Sequence, residues 1–167
     1  MLRNEPLEEW DRDHFFHPST AMGAHARGET PHRIIETGKG VYITDADGKS
    51  CLDAFAGLYC VNVGYGRTEI ADAISEQAHE LAYYHAYVGH ASKPAIRLSK
   101  MIADRAPEGM NHTYFGLSGS DANETNTKLV WHANNILGRP DKQKIIPPWT
   151  GSHGSGIITG SLTGRPR

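Results

Sequence analysis

Residues 114–125 read YFGLSGSDANET, a run of small and amide-rich residues where an apparent strand gives way to a helix. The helix is predicted from apolar residues that recur at near-helical spacing: Ala122, Leu129, Val130, Ala133, Ile136 and Leu137. Gly119 and Ser120 fall in its first turn, where backbone N–H groups without partners point toward an anion. The run predicts a phosphate site, although an N-cap at Ser118 and a tight turn at Gly119 explain it without a ligand.

A second glycine-rich segment, residues 149–156, reads WTGSHGSG and follows a short apolar run at residues 144–146. Two glycine-rich loops that each follow a strand are typical of one crevice at the strand ends of an α/β sheet. We therefore predict strands near residues 112–116 and 143–146, on either side of a helix over residues 120–137. Pro147 and Pro148 depart from this pattern, because they lack backbone donors and interrupt a central strand.

Upstream of this β-α-β unit, alternation and turn signals predict a small antiparallel sheet with strands at residues 33–36, 40–44 and 51–54. Residues 45–48 are expected to form the hairpin turn between the last two strands, with Gly48 available for a positive φ. Helices are predicted over residues 5–17, over residues 70–81 and after Pro94. Residues 55–67 show no periodicity and suit a loop that lines a pocket. The predicted fold class is α/β.

Length, charge and cysteine content exclude several classes of protein. The 167 residues suit a domain with its own core, and a net charge of −2 offers no basic field for nucleic acid. Cys51 and Cys60 lack CxxC spacing and no apolar leader opens the chain, so we expect a cytoplasmic protein. No stretch approaches the roughly 18 apolar residues of a membrane helix. The histidines, such as His14 and His17, lack cysteine or carboxylate partners at recognised intervals, and we expect no metal site.

The chain resembles the class III aminotransferases of fold type I, which depend on pyridoxal 5′-phosphate, and among them the ω-transaminases. The matching segments, in family order and spacing, are GVYITD (40–45), DGK (47–49), LD (52–53), AGLYCVNVGYGR (56–67), SGSDANET (118–125) and GRP (138–140). Each segment alone is common, but the combination is specific and covers nearly the whole chain. The resemblance implies an amino-terminal arm and small-domain portion in residues 1–100. It implies the start of the cofactor-binding large domain in residues 101–167.

Cofactor contacts follow from the same resemblance. It implies that Ser118, Gly119 and Ser120 hold the phosphate of pyridoxal 5′-phosphate. It places Ser152 and His153 near the pyridine ring. Ser152 stands where the family usually has an aromatic residue that stacks on the ring, so a contact worth about 0.5–1.5 kcal/mol is lost.

Substrate contacts in the family come from segments that match Leu58, Tyr59 and Tyr87, the last reaching across a homodimer. An aromatic wall of this kind selects apolar or extended amines through contact area. The alternative is that Tyr59 and Tyr87 are core or interface aromatics. Cys60 suits a small buried residue better than a nucleophile, because no histidine and acid pair accompanies it.

The family moves an amino group from an amine or ω-amino acid to a keto acid such as pyruvate. Its Schiff-base lysine lies in a part that this chain does not contain, and no lysine here matches that motif: Lys39, Lys49, Lys93, Lys100, Lys128, Lys142 and Lys144. We therefore expect an inactive amino-terminal portion without a catalytic residue, shortened naturally, experimentally or by an error in the gene boundaries. The alternatives are a non-catalytic phosphate-binding or dimerisation remnant, and a fragment of a related isomerase or decarboxylase.

Overall fold

The computed structural model describes residues 5–164, which form two compact units. The first unit ends at Tyr83 and the second begins at Tyr84. The division predicted between residues 100 and 101 concerns the small and large domains of the family, and it stays a prediction. In the described part of the chain, no helix combines the length and apolar character that crossing a membrane requires.

Two short helices open the first unit, α1 (Leu7–His14) and α2 (Met22–Ala26). Helix α1 lies inside the predicted range 5–17 and has acidic residues in its first turn and basic residues in its last. This order of charge favours a helix, because it opposes the helix dipole. The helix ends where Phe15 leaves the helical backbone and donates its N–H to the Asp11 carbonyl at 3.1 Å.

The small sheet has three antiparallel strands in the order β1-β2-β3: β1 (Ile35–Lys39), β2 (Tyr42–Asp45) and β3 (Ser50–Leu52). The register shifts between Ile35 and Thr37, and Ile43 pairs with both Gly38 and Cys51. Gly48 has φ +79° in the turn between β2 and β3, and its N–H donates to the Asp45 carbonyl. The predicted sheet and hairpin turn are therefore confirmed, with strand limits displaced by a few residues.

Beyond the sheet lie a four-residue turn, α3 (Ala56–Tyr59), and helix α4 (Thr68–Leu81). Turn α3 is left-handed: φ is +47° at Ala56, +59° at Leu58 and +66° at Tyr59. L-residues pay about 1–2 kcal/mol each for this conformation. The sequence predicted only an irregular loop here, because left-handed turns have no hydrophobic period. Helix α4 matches its prediction closely.

The second unit contains helices α5 (Lys93–Ala103), α6 (Gly119–Ile136) and α7 (Ile157–Leu162). Pro94 stands in the first turn of α5, where a missing N–H costs nothing. Helix α6 begins one residue before its predicted start and ends one residue before its predicted end. Helix α7 was not predicted, because its six residues are too few to show a helical period.

The segments expected as strands near residues 112–116 and 143–146 are irregular in the structure. Neither finds a strand neighbour among residues 5–164, and an apolar run becomes a strand only when another strand completes its hydrogen bonds. The second segment and its approach are bound by α6 instead: Trp131 Nε1 donates to the Gln143 carbonyl at 2.8 Å, and Asn134 Nδ2 donates to the Lys142 carbonyl at 3.2 Å. Pro147 and Pro148 follow directly.

Apolar burial is the main departure from expectation. Within the described residues no hydrophobic side chain is buried, and the buried side chains are those of His25, Asp45, Thr127 and Thr159. Leu117 is 99% exposed. The length allows a domain with its own core, but the described residues form none, because the amphipathic helices have apolar faces without enough apolar surface opposite them.

Candidate functional site

The amino terminus of α6 is fixed by Ser118, which is extended with φ −164° and ψ 169°. Its Oγ accepts the N–H of Asp121 at 3.2 Å, and its carbonyl accepts the N–H of Ala122 at 3.0 Å. Ser118 is thus the N-cap that the sequence allowed. The carboxylate of Asp121 turns back and accepts the N–H of Leu117 at 3.0 Å, which fixes the loop ahead of the helix.

Two backbone donors remain at this terminus. Across residues 5–164, neither the N–H of Gly119 nor that of Ser120 has a hydrogen-bond acceptor. A Cβ added at Gly119 would meet nothing within 4 Å, so the space beside it is open. Two free N–H groups at the positive end of an 18-residue helix favour an anion.

The second glycine-rich loop lies against this same turn. The N–H of Ser155 donates to Ser120 Oγ at 3.0 Å, and Asn123 Nδ2 donates to the His153 carbonyl at 2.9 Å. Gly154, with φ +139°, makes the approach possible: an added Cβ would lie 2.6 Å from Thr159 Oγ1 and 2.7 Å from Ser120 Oγ. The structure therefore brings the start of α6, at Ser120 and Asn123, against residues 153–155.

Glu124 on α6 connects this helix to the second glycine-rich loop and α7, and the sequence alone did not identify it. Its Oε1 accepts the N–H groups of Ile158 and Thr159 at 2.9 and 3.0 Å, and the Thr159 hydroxyl at 3.2 Å. Thr159 is fully buried and its Oγ1 also accepts the N–H of Gly156 at 2.9 Å. The Glu124 carboxylate thus caps the first turn of α7 and fixes the loop before it. In the sequence, only the Gly-x-x-Thr pattern of Gly156 and Thr159 indicates that a helix begins here.

His153 and Ser152 differ in their surroundings. The N–H of His153 donates to Thr163 Oγ1 at 3.0 Å, and its ring lies against Gly151, where an added Cβ would come within 2.2 Å of Nε2. His153 Nε2 is buried and has no hydrogen-bond partner in the described chain. Ser152 is exposed.

The residues expected to contact substrate are all exposed. Leu58 and Tyr59 lie in the left-handed turn α3 of the first unit, and Tyr59 is 71% exposed with its ring edge-on to Phe55 at 4.8 Å. Tyr87 belongs to the second unit and is 78% exposed. Neither tyrosine is a core residue in this structure. Cys60 is exposed as well, so its expected burial is wrong.

Turn α3 is held by Asp53. Its Oδ1 accepts the N–H of Phe55 at 3.1 Å, and its Oδ2 accepts the N–H of Gly57 at 2.7 Å. The Tyr65 hydroxyl donates to the same Oδ2 at 2.6 Å. The hydrogen bond from Tyr65, followed by that from Gly57, lowers the pKa of Asp53, and the bond to Asp53 raises the pKa of Tyr65.

A further cluster lies between α1 and α2. Asp11, His17 and His25 each offer one possible ligand atom, and these atoms lie within 4.8 Å of one another. Burial raises the pKa of Asp11, but hydrogen bonds and charge from His17 and then His32 outweigh it, so that this pKa lies below its ordinary value. The sequence does not indicate this cluster, because a carboxylate six residues before a histidine matches no recognised metal motif.

Comparison with known proteins identifies the family. The model of the family Aminotransferase class-III matches residues 24–166. A diaminobutyrate–2-oxoglutarate transaminase of Halomonas elongata is 53% identical over 98% of this chain and 35% of its own length. A putrescine–pyruvate aminotransferase of Pseudomonas aeruginosa is 44% identical over 98% of this chain and 36% of its own length.

A solved structure from directed evolution of transaminases by ancestral reconstruction superimposes with a TM-score of 0.92. It is 66% identical over 95% of this chain and 35% of its own. The chain therefore spans about a third of the length of the relatives it matches, and corresponds to their amino-terminal portion. These solved relatives confirm the predicted α/β fold class of fold-type I transferases. The chain belongs to the class-III aminotransferase family, whose members depend on pyridoxal 5′-phosphate.

Proposed function

We propose that the whole protein moves an amino group from a primary amine or ω-amino acid to a keto acid, and that this chain supplies its phosphate-binding turn. The carrying observation is the pair of unpartnered N–H groups at Gly119 and Ser120, beside the Ser120 hydroxyl. Relatives named for diaminobutyrate and putrescine support an amine donor with a terminal amino group.

The residues at this turn fit the phosphate of the cofactor. Ser120 Oγ accepts a hydrogen bond from the Ser155 N–H and keeps its own proton for donation to an anion. The two free N–H groups and this hydroxyl make three donors at the positive end of α6. When bound, the cofactor supplies the electron sink for the transfer. Asp121 adds no donor, and its carboxylate is held by the Leu117 N–H.

Fewer residues of this chain suit contact with the pyridine ring of the cofactor. His153 contributes an imidazole whose Nε2 is buried without a partner, which suits a residue awaiting a polar neighbour. Ser152 offers no aromatic face for stacking. We propose that Ser118, Gly119 and Ser120 carry most of the cofactor affinity of this chain, and that Ser152 and His153 add little.

The substrate wall of our proposal consists of Leu58, Tyr59 and Tyr87. Their large exposed surfaces are available to an extended amine or to a second subunit. We propose a cytoplasmic homodimer as the working form, which rests on the family resemblance and on this exposed apolar surface.

We also propose that residues 1–167 alone give no turnover. The support is chemical: a transaminase needs a lysine amine at the cofactor, and no lysine of this chain matches the family motif. Lys100, for instance, forms an ion pair with Asp104 one turn along α5.

Phosphate recognition is tested by removing one N–H without changing the helix. Gly119 occupies the first helical position and follows an extended Ser118, so proline fits there without strain. Gly119→Pro removes the N–H, whereas Gly119→Ala keeps it. Hydrogen bonds to charged groups are worth about 1.5–3 kcal/mol, so Gly119→Pro weakens binding of pyridoxal 5′-phosphate by roughly 10–150-fold.

The measurement is equilibrium dialysis of the chain with pyridoxal 5′-phosphate and, in parallel, with pyridoxal, which lacks the phosphate. We expect selective binding of the phosphate ester, loss with Gly119→Pro and retention with Gly119→Ala. Equal affinity for the two compounds, or no effect of the proline, contradicts the phosphate site. Amine-dependent conversion of pyruvate by the purified chain contradicts the proposed inactivity.

A further inference from the structure

We propose that Asp11, His17, His25 and His32 form a binding site for one divalent transition-metal ion of the zinc class. The four residues join helix α1, helix α2 and the segment after α2. The site belongs to the first unit and the proposed phosphate turn to the second, and nothing in amino-group transfer requires such an ion.

The three imidazoles converge on one carboxylate through the same ring atom. The Nε2 atoms of His25 and His32 lie 3.0 and 2.9 Å from Asp11 Oδ2. His17 Nε2 lies 3.0 Å from Oδ1 and 3.1 Å from Oδ2. Three imidazole nitrogens and one carboxylate oxygen are a donor set that Zn²⁺ accepts in tetrahedral geometry.

The spacing of these atoms is close to that of a filled site. With metal–ligand bonds of about 2.0–2.2 Å, neighbouring ligand atoms of a tetrahedron stand about 3.3–3.6 Å apart. The observed 2.9–3.1 Å between nitrogen and oxygen needs only a small opening of the cluster. The ligand atoms of Asp11, His17 and His25 already lie within 4.8 Å of one another, and His32 joins them through its 2.9 Å approach to Asp11 Oδ2.

The surroundings orient the rings as they do in known metal sites. His25 Nδ1 lies 3.1 Å from Thr30 Oγ1, so an Nδ1–H that donates to this hydroxyl leaves the Nε2 lone pair free for a metal. His32 Nδ1 lies 4.0 Å from Glu8 Oε1, a second possible outer partner. The His17 ring packs edge-on against His25 at 4.7 Å.

Burial and access also suit an ion. The side chain of His25 is 5% exposed and that of His17 is 30% exposed, so the cluster is shielded at His25 and reachable from solvent at His17. A cleft of about 530 Å³ reaches it, lined also by Ser19, Thr20, Ala21, Pro31 and Arg33. The guanidinium of Arg33 pairs with Asp45 at 3.3 Å, which leaves Asp11 as the charge at the centre.

A bound metal ion would also stabilise the first unit, which lacks a hydrophobic core. Within residues 5–83 no apolar side chain is buried, and α1 and α2 make few contacts with each other. Binding free energy at a site formed only in the folded chain adds to folding free energy. One ion would therefore cross-link α1, α2 and the chain at His32 where hydrophobic burial does not.

The experiment is titration of the metal-free chain with ZnCl₂ by calorimetry, and with CoCl₂ by visible absorption, which reports tetrahedral coordination. We expect one ion per chain and an intense tetrahedral cobalt spectrum. His17→Gln, His25→Gln and Asp11→Asn should each weaken binding at least tenfold. Thr30→Val removes only the outer hydrogen-bond partner of His25 and should weaken metal binding by about 10–100-fold.

Controls remove a histidine outside the cluster: His79→Gln on α4 and His132→Gln on α6 should leave stoichiometry and affinity unchanged. If Asp11→Asn or His25→Gln fails to fold by circular dichroism, the His17→Gln variant provides the test, because His17 is the most exposed of the four proposed ligands. Unchanged binding in His17→Gln, an octahedral cobalt spectrum or equal loss in the control variants overturns the proposal. No cofactor or amine enters these assays, so their outcome is separable from that of the proposed function.

Discussion

The Tyr65 hydroxyl donates a hydrogen bond of 2.6 Å to Asp53 Oδ2, the same oxygen that accepts the N–H of Gly57 at 2.7 Å. The backbone of Tyr65 in turn exchanges two hydrogen bonds with Gly40, between β1 and β2, at 3.0 and 2.8 Å. Asp53 and Tyr65 therefore tie the left-handed turn α3 to the small sheet. Strain of this kind persists only where surrounding contacts hold it.

This pair gives the first prediction, which concerns pH. Because the pKa of Asp53 is lowered, its stabilisation of the fold is complete above the ordinary aspartate pKa. It is lost as the pH falls through the lowered value. Because the pKa of Tyr65 is raised, its contribution is complete below the ordinary tyrosine pKa, and is lost as the pH rises through the raised value. Turn α3 is thus most stable between these limits.

Tyr65→Phe tests the pair, since it removes the largest cause of the Asp53 shift. Carbon NMR of the Asp53 carboxyl should show its pKa returning upward toward the ordinary value. Tyr83→Phe is the control, because Tyr83 is exposed and distant in sequence from Asp53. An Asp53 titration that is the same in wild type and Tyr65→Phe would show that the hydroxyl does not hold this carboxylate.

The second prediction concerns Gly154, where both φ and space exclude a side chain. Gly154→Ala should separate the second loop from α6, because the added Cβ would crowd Ser120 Oγ and Thr159 Oγ1. Backbone strain alone costs about 1–3 kcal/mol, so exchange of the Ser155 amide hydrogen should quicken by roughly 5–150-fold. Hydrogen-exchange NMR measures this rate directly.

Gly89→Ala is the matched control for Gly154→Ala. Gly89 also has a positive φ, +78°, but an added Cβ there would meet nothing within 4 Å. It should destabilise its own segment and leave the Ser155 exchange rate unchanged. Equal acceleration by both substitutions would mean that the contact with Ser120 does not depend on Gly154.

The third prediction concerns association through exposed apolar surface. Helix α4 presents an open face of Ile70, Ala73, Ile74, Ala78 and Leu81. Surfaces of this kind bind other chains or each other, so the isolated chain should elute above its monomer mass. Ile74→Lys should shift the profile toward monomer. Ser75→Lys adds the same charge outside this face and should not. A sharp monomer peak for the wild-type chain at every concentration would contradict this prediction.

Local chemistry decided the elements that the sequence predicted correctly. Ser118 and Gly119 announce the start of α6 because an N-cap hydroxyl satisfies a first-turn N–H wherever the helix lies. Gly48 indicates the hairpin because the turn requires a positive φ, here +79°, which glycine adopts without strain. Pro94 marks the first turn of α5 for the same kind of reason. These preferences depend on neighbouring residues in the chain, so they survive without tertiary information.

Hydrophobic pattern alone carried less. The apolar run at residues 143–146 suggested a strand, yet a strand needs a neighbour that exchanges backbone hydrogen bonds with it, and the Gln143 carbonyl accepts the N–H of the Trp131 side chain instead. The amphipathic face of α4 suggested a core, yet burial requires an opposing surface. The hydrophobic pattern of a helix or strand shows which of its sides is apolar, but not which other surface covers that side.

The sequence by itself determined the family, the antiparallel sheet and the turn at Ser118–Ser120, since each rests on motifs or preferences of a few consecutive residues. Tertiary structure alone decided that Ser155 would reach Ser120, that Glu124 would cap α7 and that Asp11 would collect three histidines. These contacts join residues that are 35, 34 and up to 21 positions apart. Their distances are set by how the chain folds back on itself, which no local spacing records.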